Sequence, residues 1–142
     1  MMGLAALSSL ITLITPIRES SHQVWRCGAD GEWTEEMVLP PLHTDWVRDV
    51  AWAPTVGIGG GAVIASCAQD RKVVVWTEAN AQWTPKVIEL PAAVWSVSWS
   101  VTGGILAAAA GDNQVTLWKE TALGDWVRIG QLSEQHGAQP AQ

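Results

Sequence analysis

His43, Ser66 and Asp70 are the residue types of a nucleophilic site: a hydroxyl, a base to take its proton and a carboxylate to orient that base. Such chemistry needs an exposed serine, a strained glycine elbow to present it and donors for a developing oxyanion. Ser66 stands instead inside an apolar run, Ile64-Ala65-Ser66-Cys67, with no elbow around it. The three residues are therefore read as structural, and the chain as no enzyme. Metal chemistry has less to build on. Cys27, Cys67, His22, His43 and His136 show no CxxC or HxxxH spacing, so no zinc site and no cofactor is expected. Both cysteines read as reduced thiols of a cytosolic protein. The glycines of Gly57-Ile58-Gly59-Gly60-Gly61 are followed by neither Lys-Ser/Thr nor a helix start. They read as a flexible surface loop and not a phosphate cradle.

Charge narrows the partners. The chain carries a net charge of −6 with only 15% charged residues, so it lacks the basic footprint that drives binding to phosphate backbones or anionic lipid. Direct nucleic-acid binding is not expected, nor a small-molecule substrate. The segment from Gly3 to Thr15 is mostly apolar, but its thirteen residues are too few to span a bilayer as a helix. It also lacks the positive n-region and the clear cleavage site of a signal peptide. It reads as a short helix or strand with no targeting role. The polar stretch at 133–142 reads as a disordered tail.

The elements that must position these residues follow from an internal repeat. Val47-Arg48-Asp49-Val50-Ala51-Trp52-Ala53 and Val94-Trp95-Ser96-Val97-Ser98-Trp99-Ser100 share the pattern V-x-x-V-x-W-[AS], 47 residues apart. Each is followed by an apolar run, then an aspartate (Asp70, Asp112), then a tryptophan six residues later (Trp76, Trp118). Trp76 and Trp83, Trp118 and Trp126, and Trp25 and Trp33 form three further pairs, seven or eight residues apart, with turn residues between them. Four short strands per unit at this period predict propeller blades. The predicted fold is all-β: a partial propeller of two full four-stranded blades plus the trailing half of a third, over 24–132, too few to close a ring. Segment 1–23 is left unassigned. Trp indoles carry the aromatic bulk, for the chain has ten tryptophans and neither Phe nor Tyr.

Several strings are more specific than a generic blade. His43-Thr44-Asp45-Trp46-Val47-Arg48-Asp49-Val50-Ala51-Trp52-Ala53-Pro54, Ile64-Ala65-Ser66-Cys67-Ala68-Gln69-Asp70, the Val94 to Ser100 string and Gly111-Asp112-Asn113-Gln114-Val115-Thr116-Leu117-Trp118-Lys119-Glu120 closely resemble the Sec-thirteen family of WD-repeat proteins. The likeness runs from about Val24 to Leu132 and corresponds to that family's C-terminal part. It implies a blade network in which His43, Ser66, Asp70 and Trp76 are bonded together. The second unit keeps Asp112 and Trp118 but has Leu90-Pro91 and Ala108 in place of the His and Ser, so apolar packing alone is expected there. The resemblance further implies a scaffold subunit of the COPII coat in ER-to-Golgi transport and of the nuclear pore Y-complex, with a third home in amino-acid sensing upstream of the target-of-rapamycin kinase. The implied partners are the outer-coat cage subunit, which donates a blade to an open six-bladed ring, and nuclear pore scaffold subunits. The implied location is the cytoplasmic face of the endoplasmic reticulum, its vesicles and the nuclear envelope, with no transmembrane span. Trp46 and Arg48, near the start of an innermost strand, are candidate partner-facing residues. The missing upstream blades leave a fragment or aberrant gene model, or a truncated isoform, as the expected status of the chain.

Overall fold

The computed structural model describes residues 3–7, 10–17, 21–54 and 61–133, with side chains from His22 onward. Among these residues there are twelve strands and no helix. The first sheet holds β1 (Gly3–Leu7), β2 (Leu10–Ile17), β3 (Ser21–Cys27) and β4 (Trp33–Leu39) in that order. The second holds β5 (Val47–Trp52), β6 (Val63–Ala68), β7 (Lys72–Ala79) and β8 (Gln82–Glu89). The third holds β9 (Val94–Trp99), β10 (Ile105–Ala110), β11 (Gln114–Glu120) and β12 (Trp126–Ser133). All neighbours are antiparallel, and the first strands β1, β5 and β9 lie side by side, so the sheets are successive blades of an incomplete propeller. The hairpin of Trp25 and Trp33 is β3–β4. Strands from the unassigned apolar segment complete its sheet along the free edge of β3. Residues 55–60, most of the glycine loop, and 134–142, most of the polar tail, lie outside the described residues.

Strand patterning follows from how many neighbours each blade has. Blade two is covered on both faces, and all six residues of β6 are buried. Val63, Ala65 and Cys67 face blade three with Val73 and Val75, while Ile64, Val74 and Trp76 face Val24 and Leu39 of blade one. That double burial is why the Val63–Ala68 run is continuously apolar and does not alternate. Strand β10 has one covered face, and its burial alternates residue by residue. Within blades two and three the same aromatic pair recurs. Trp52 meets Trp83 edge-on at 6.0 Å, and Trp99 meets Trp126 at 5.7 Å.

Blades two and three are also joined by polar bonds between their inner strands. Trp99 Nε1–H donates to the Ala51 carbonyl at 3.1 Å. Asp49 Oδ2 accepts from Ser96 Oγ at 3.0 Å and from Val97 N–H at 3.1 Å. Among the described residues the junction of blades one and two shows neither link. Trp52 Nε1, the equivalent of Trp99 Nε1, is buried with no partner among the described residues. Val50 N–H turns to the carboxylate of its own neighbour Asp49. Trp99→Phe should therefore lower stability by about 1–3 kcal/mol through the lost bond, beyond the change in ring volume. Trp52→Phe, which discards a donor that has no acceptor among the described residues, should cost at least about 1 kcal/mol less. Urea melts of the two variants side by side measure the difference, and equal losses would contradict it.

Candidate functional site

Strand pairing gathers the polar residues of blade two into one chain of hydrogen bonds. Ser66 lies on β6, Trp76 on the adjacent β7, Asp70 in the turn between them and His43 in the segment leading into β5. Trp76 Nε1–H donates to Ser66 Oγ at 3.3 Å, and Ser66 Oγ lies 2.9 Å from His43 Nε2. His43 Nδ1 lies 3.1 Å from Asp70 Oδ2. One assignment of protons satisfies every atom: the indole donates to Ser66, the Ser66 hydroxyl to His43 Nε2, and His43 Nδ1–H to the carboxylate. Asp70 then orders backbone on both sides, accepting from Thr44 N–H and from Lys72 N–H at 3.0 Å each. Arg71, between Asp70 and Lys72, takes a left-handed φ of 68°, as the tight turn requires.

The connectivity from Ser66 through His43 to Asp70 is that of a nucleophilic triad, but its surroundings are not. Ser66 is 0% exposed, and a lone pair of its hydroxyl is already taken by the indole. A substrate carbonyl has no path to it. Nor is Cys67 a nucleophile, because burial pushes its thiol up to about 12. Cys27 and Cys67 are unbridged. Among the described residues no three His, Cys, Asp or Glu side chains converge as metal ligands.

The other two blades solve the same indole problem within a single strand. Trp118 Nε1–H donates to Thr116 Oγ1 at 2.8 Å, and Trp25 Nε1–H to Gln23 Oε1 at 3.2 Å, in each case two residues back on the same strand face. Blade three therefore does not rest on apolar packing alone. The expectation overlooked Thr116, whose only sequence signal is its parity with Trp118. Asp112 keeps one of the two tasks of Asp70, accepting from Gln114 N–H at 3.2 Å across its turn, where Asn113 has a φ of 61°. Trp46 and Arg48 lie apart from the buried chain. Trp46 is exposed, Arg48 is partly buried, and the Arg48 guanidinium packs against the rings of both Trp46 and Trp95, the last a residue that sequence reasoning had not singled out.

A family model described as "WD domain, G-beta repeat" matches residues 37–77 and 86–119, which together are more than half of the chain. The chain belongs to the WD-repeat family. Its similarity within that family is to SEC13 proteins. It is 48% identical over 120 residues to the "Protein SEC13 homolog" of Rattus norvegicus, covering 82% of this chain and 37% of that protein. It is 53% identical over 125 residues to the "Protein transport protein SEC13" of Chaetomium globosum, covering 85% and 42%. With the "Protein transport protein SEC13 homolog B" of Arabidopsis thaliana it shares 45% over 116 residues, covering 78% and 37%. The chain thus spans well under half the length of the curated relatives it matches.

In this WD-repeat chain the buried polar chain has one unsatisfied neighbour. His22 of β3 packs its ring 5.7 Å from that of His43, and neither of its ring nitrogens has a partner among the described residues. Burial, and secondarily the nearby His43, pushes His22 down to about 4. Burial also lowers His43, outweighing the pull of Asp70 in the other direction, so both rings are neutral at pH 7. The sign for stability follows from proton counts. Between pH 6.5 and about 4 the unfolded chain holds a proton on His22 that the folded chain refuses, so stability falls as pH falls through that window. The loss should approach about 3 kcal/mol at the acid end, and His22→Leu should flatten most of the slope. Urea midpoints at a series of pH values measure it. His43→Ala should cost about 1–3 kcal/mol at pH 7 by leaving Ser66 and Asp70 short of a partner, and an unchanged urea midpoint would refute that role.

Proposed function

We propose that the chain is a non-enzymatic scaffold unit that binds partner proteins through blade faces left open by an incomplete ring. The observation that carries the reading is the far face of blade three. Cross-strand pairs place Ala107 opposite Leu117, Ala109 opposite Val115 and Val115 opposite Leu132 on the side turned away from blade two. These side chains are exposed or only partly buried, and Val127 and Leu132 are large exposed hydrophobics. An apolar sheet face of this kind is what a further blade covers, and strand addition at its edge satisfies the outer backbone groups. The buried polar chain of His43, Ser66, Asp70 and Trp76 serves in this reading as a rigid clasp, with Asp112 and Trp118 holding the corresponding turn and strand of blade three.

The printed names of two relatives, which call them protein transport proteins, support a role in protein transport. The resemblance to the Sec-thirteen family favours the COPII coat, at the cytoplasmic face of the endoplasmic reticulum, with the outer-coat cage subunit as the blade donor. Nuclear pore scaffold subunits, and the amino-acid-sensing complex upstream of the target-of-rapamycin kinase, are the further homes of the same face. Among the described residues no helix is long and apolar enough to cross a membrane. The association with membrane in this reading runs through the coat.

Affinity capture of the purified chain with the outer-coat cage subunit and, separately, with the pore scaffold subunits tests the proposal. The parent should retain at least one of them. Leu117→Asp, which puts a charge on the open face without touching the blade-two contact, should reduce retention by about tenfold or more. Failure of the parent to retain any of these partners overturns the reading.

A further inference from the structure

Arg48 and Trp95 occupy the same position in successive inner strands, 47 residues apart, and they are stacked on each other. Arg48 Cζ lies 4.8 Å from the ring centroid of Trp95 and 5.4 Å from that of Trp46, so the guanidinium is within cation–π range of two indoles. Its Nη2 donates to Gln69 Oε1 in the turn between β6 and β7. The equivalent turn of blade three places Gly111 beneath Trp95, where an added Cβ would come within 2.9 Å of the indole Nε1. The glycine is what lets that ring lie over the turn. Equivalent inner-strand and turn positions of two blades thus build one surface: Arg48 on Gln69, and Trp95 on Gly111, with Trp46 flanking them.

Three features make this more than a solvated face. The ion pairs among the described residues join Arg26 to Glu36 and Lys86 to Asp125, and neither engages Arg48. Arg48 Nε is buried without a partner among the described residues. Trp46 and Trp95 are 54% and 48% exposed, so two large apolar rings flank an unneutralised cation in a chain whose net charge is −6. Two indoles lie within about 6 Å of its Cζ, Nε is buried and Nη2 already donates to Gln69, so the end that carries Nη1 and the second Nη2 hydrogen is what remains to bond. That end presents the forked donors that match a carboxylate. Trp and Arg are also the side chains that most often carry binding energy at protein interfaces.

We propose that Trp46, Arg48, Trp95 and Gly111 form a docking shelf for a partner-protein segment bearing a glutamate or aspartate side chain. The indoles receive the apolar stem of the segment and the guanidinium edge receives its carboxylate. This deepens the scaffold reading only in taking the ligand to be protein. The shelf sits at the start of the inner strands, and the open blade face lies on the outward side of blade three, so either can fail while the other stands.

The test is titration of the full chain with acetyl-tetraglutamate-amide, followed by the indole N–H resonances of Trp46 and Trp95, identified through Trp46→Phe and Trp95→Phe. Both resonances should shift, and acetyl-tetralysine-amide and a short DNA oligonucleotide should leave them in place. Gln69→Glu supplies Arg48 with an internal carboxylate. It should weaken the peptide by about tenfold while leaving the fold as stable as the parent. Arg48→Gln should abolish the shifts, and Gly111→Ala should weaken binding by displacing Trp95. Peptide binding indifferent to both Gln69→Glu and Arg48→Gln overturns the proposal. So do equal shifts from the lysine peptide or the oligonucleotide, and no shift with the glutamate peptide.

Discussion

An indole buried at the centre of a sheet sandwich must find an acceptor for its N–H, because an unpaired buried donor costs about 1–3 kcal/mol, and blade two is arranged around that requirement. Trp76 has no exposure, and the residue two back on its own strand face, Val74, offers no acceptor. The acceptor comes from the next strand as Ser66, whose hydroxyl proton must then go to His43, whose remaining N–H must go to Asp70. Each member is obliged by the one before it. The chain ends at a carboxylate whose other bonds tie down the segment before β5 and the turn after β6. A demand arising in the core thereby fixes the loops at the ring face.

The three blades answer that demand according to how deeply each is covered. Blade two, with sheets on both sides, uses a buried network of four side chains. In blades one and three the corresponding indoles are only partly buried, and Gln23 or Thr116 on the same strand suffices. The polar network is in this sense a consequence of place in the ring, where low dielectric raises both the strength of a satisfied bond and the cost of a missing one. The junctions differ in the same terms. Asp49 and Trp99 connect the inner strands of blades two and three, whereas among the described residues His22 and Trp52 have buried nitrogens without partners where blade two meets blade one. That second junction is held by apolar contact, and its buried neutral histidines make it the acid-sensitive one.

In the scaffold reading, partners bind at what the blades leave open. Among the described residues the far face of blade three carries apolar pairs with no sheet against them, and the inner-strand starts carry a cation beside two exposed indoles. A Ser–His–Asp connectivity lies close by and stays closed to substrate, which shows how little residue identity says about chemistry without exposure.

Much of this was legible in the residue order. The strand period, the apolar runs and the paired tryptophans determine the blades, because a strand's side-chain alternation and its turn residues are local properties. The positions of His43, Ser66, Asp70 and Trp76 were legible through the family strings. Other features were not. The apolar segment before His22 matches no repeat position, and its place as β1 and β2 depends on the free edge of β3. Thr116, Gln23 and Asp49 carry no distinctive spacing, since their partners are chosen by which face each strand buries. Trp95 looks like one more core tryptophan until Gly111 and Arg48 are placed around it. Local pattern specifies the elements, while pairing between residues 47 positions apart depends on how neighbouring sheets pack, and only the folded chain brings those residues into contact.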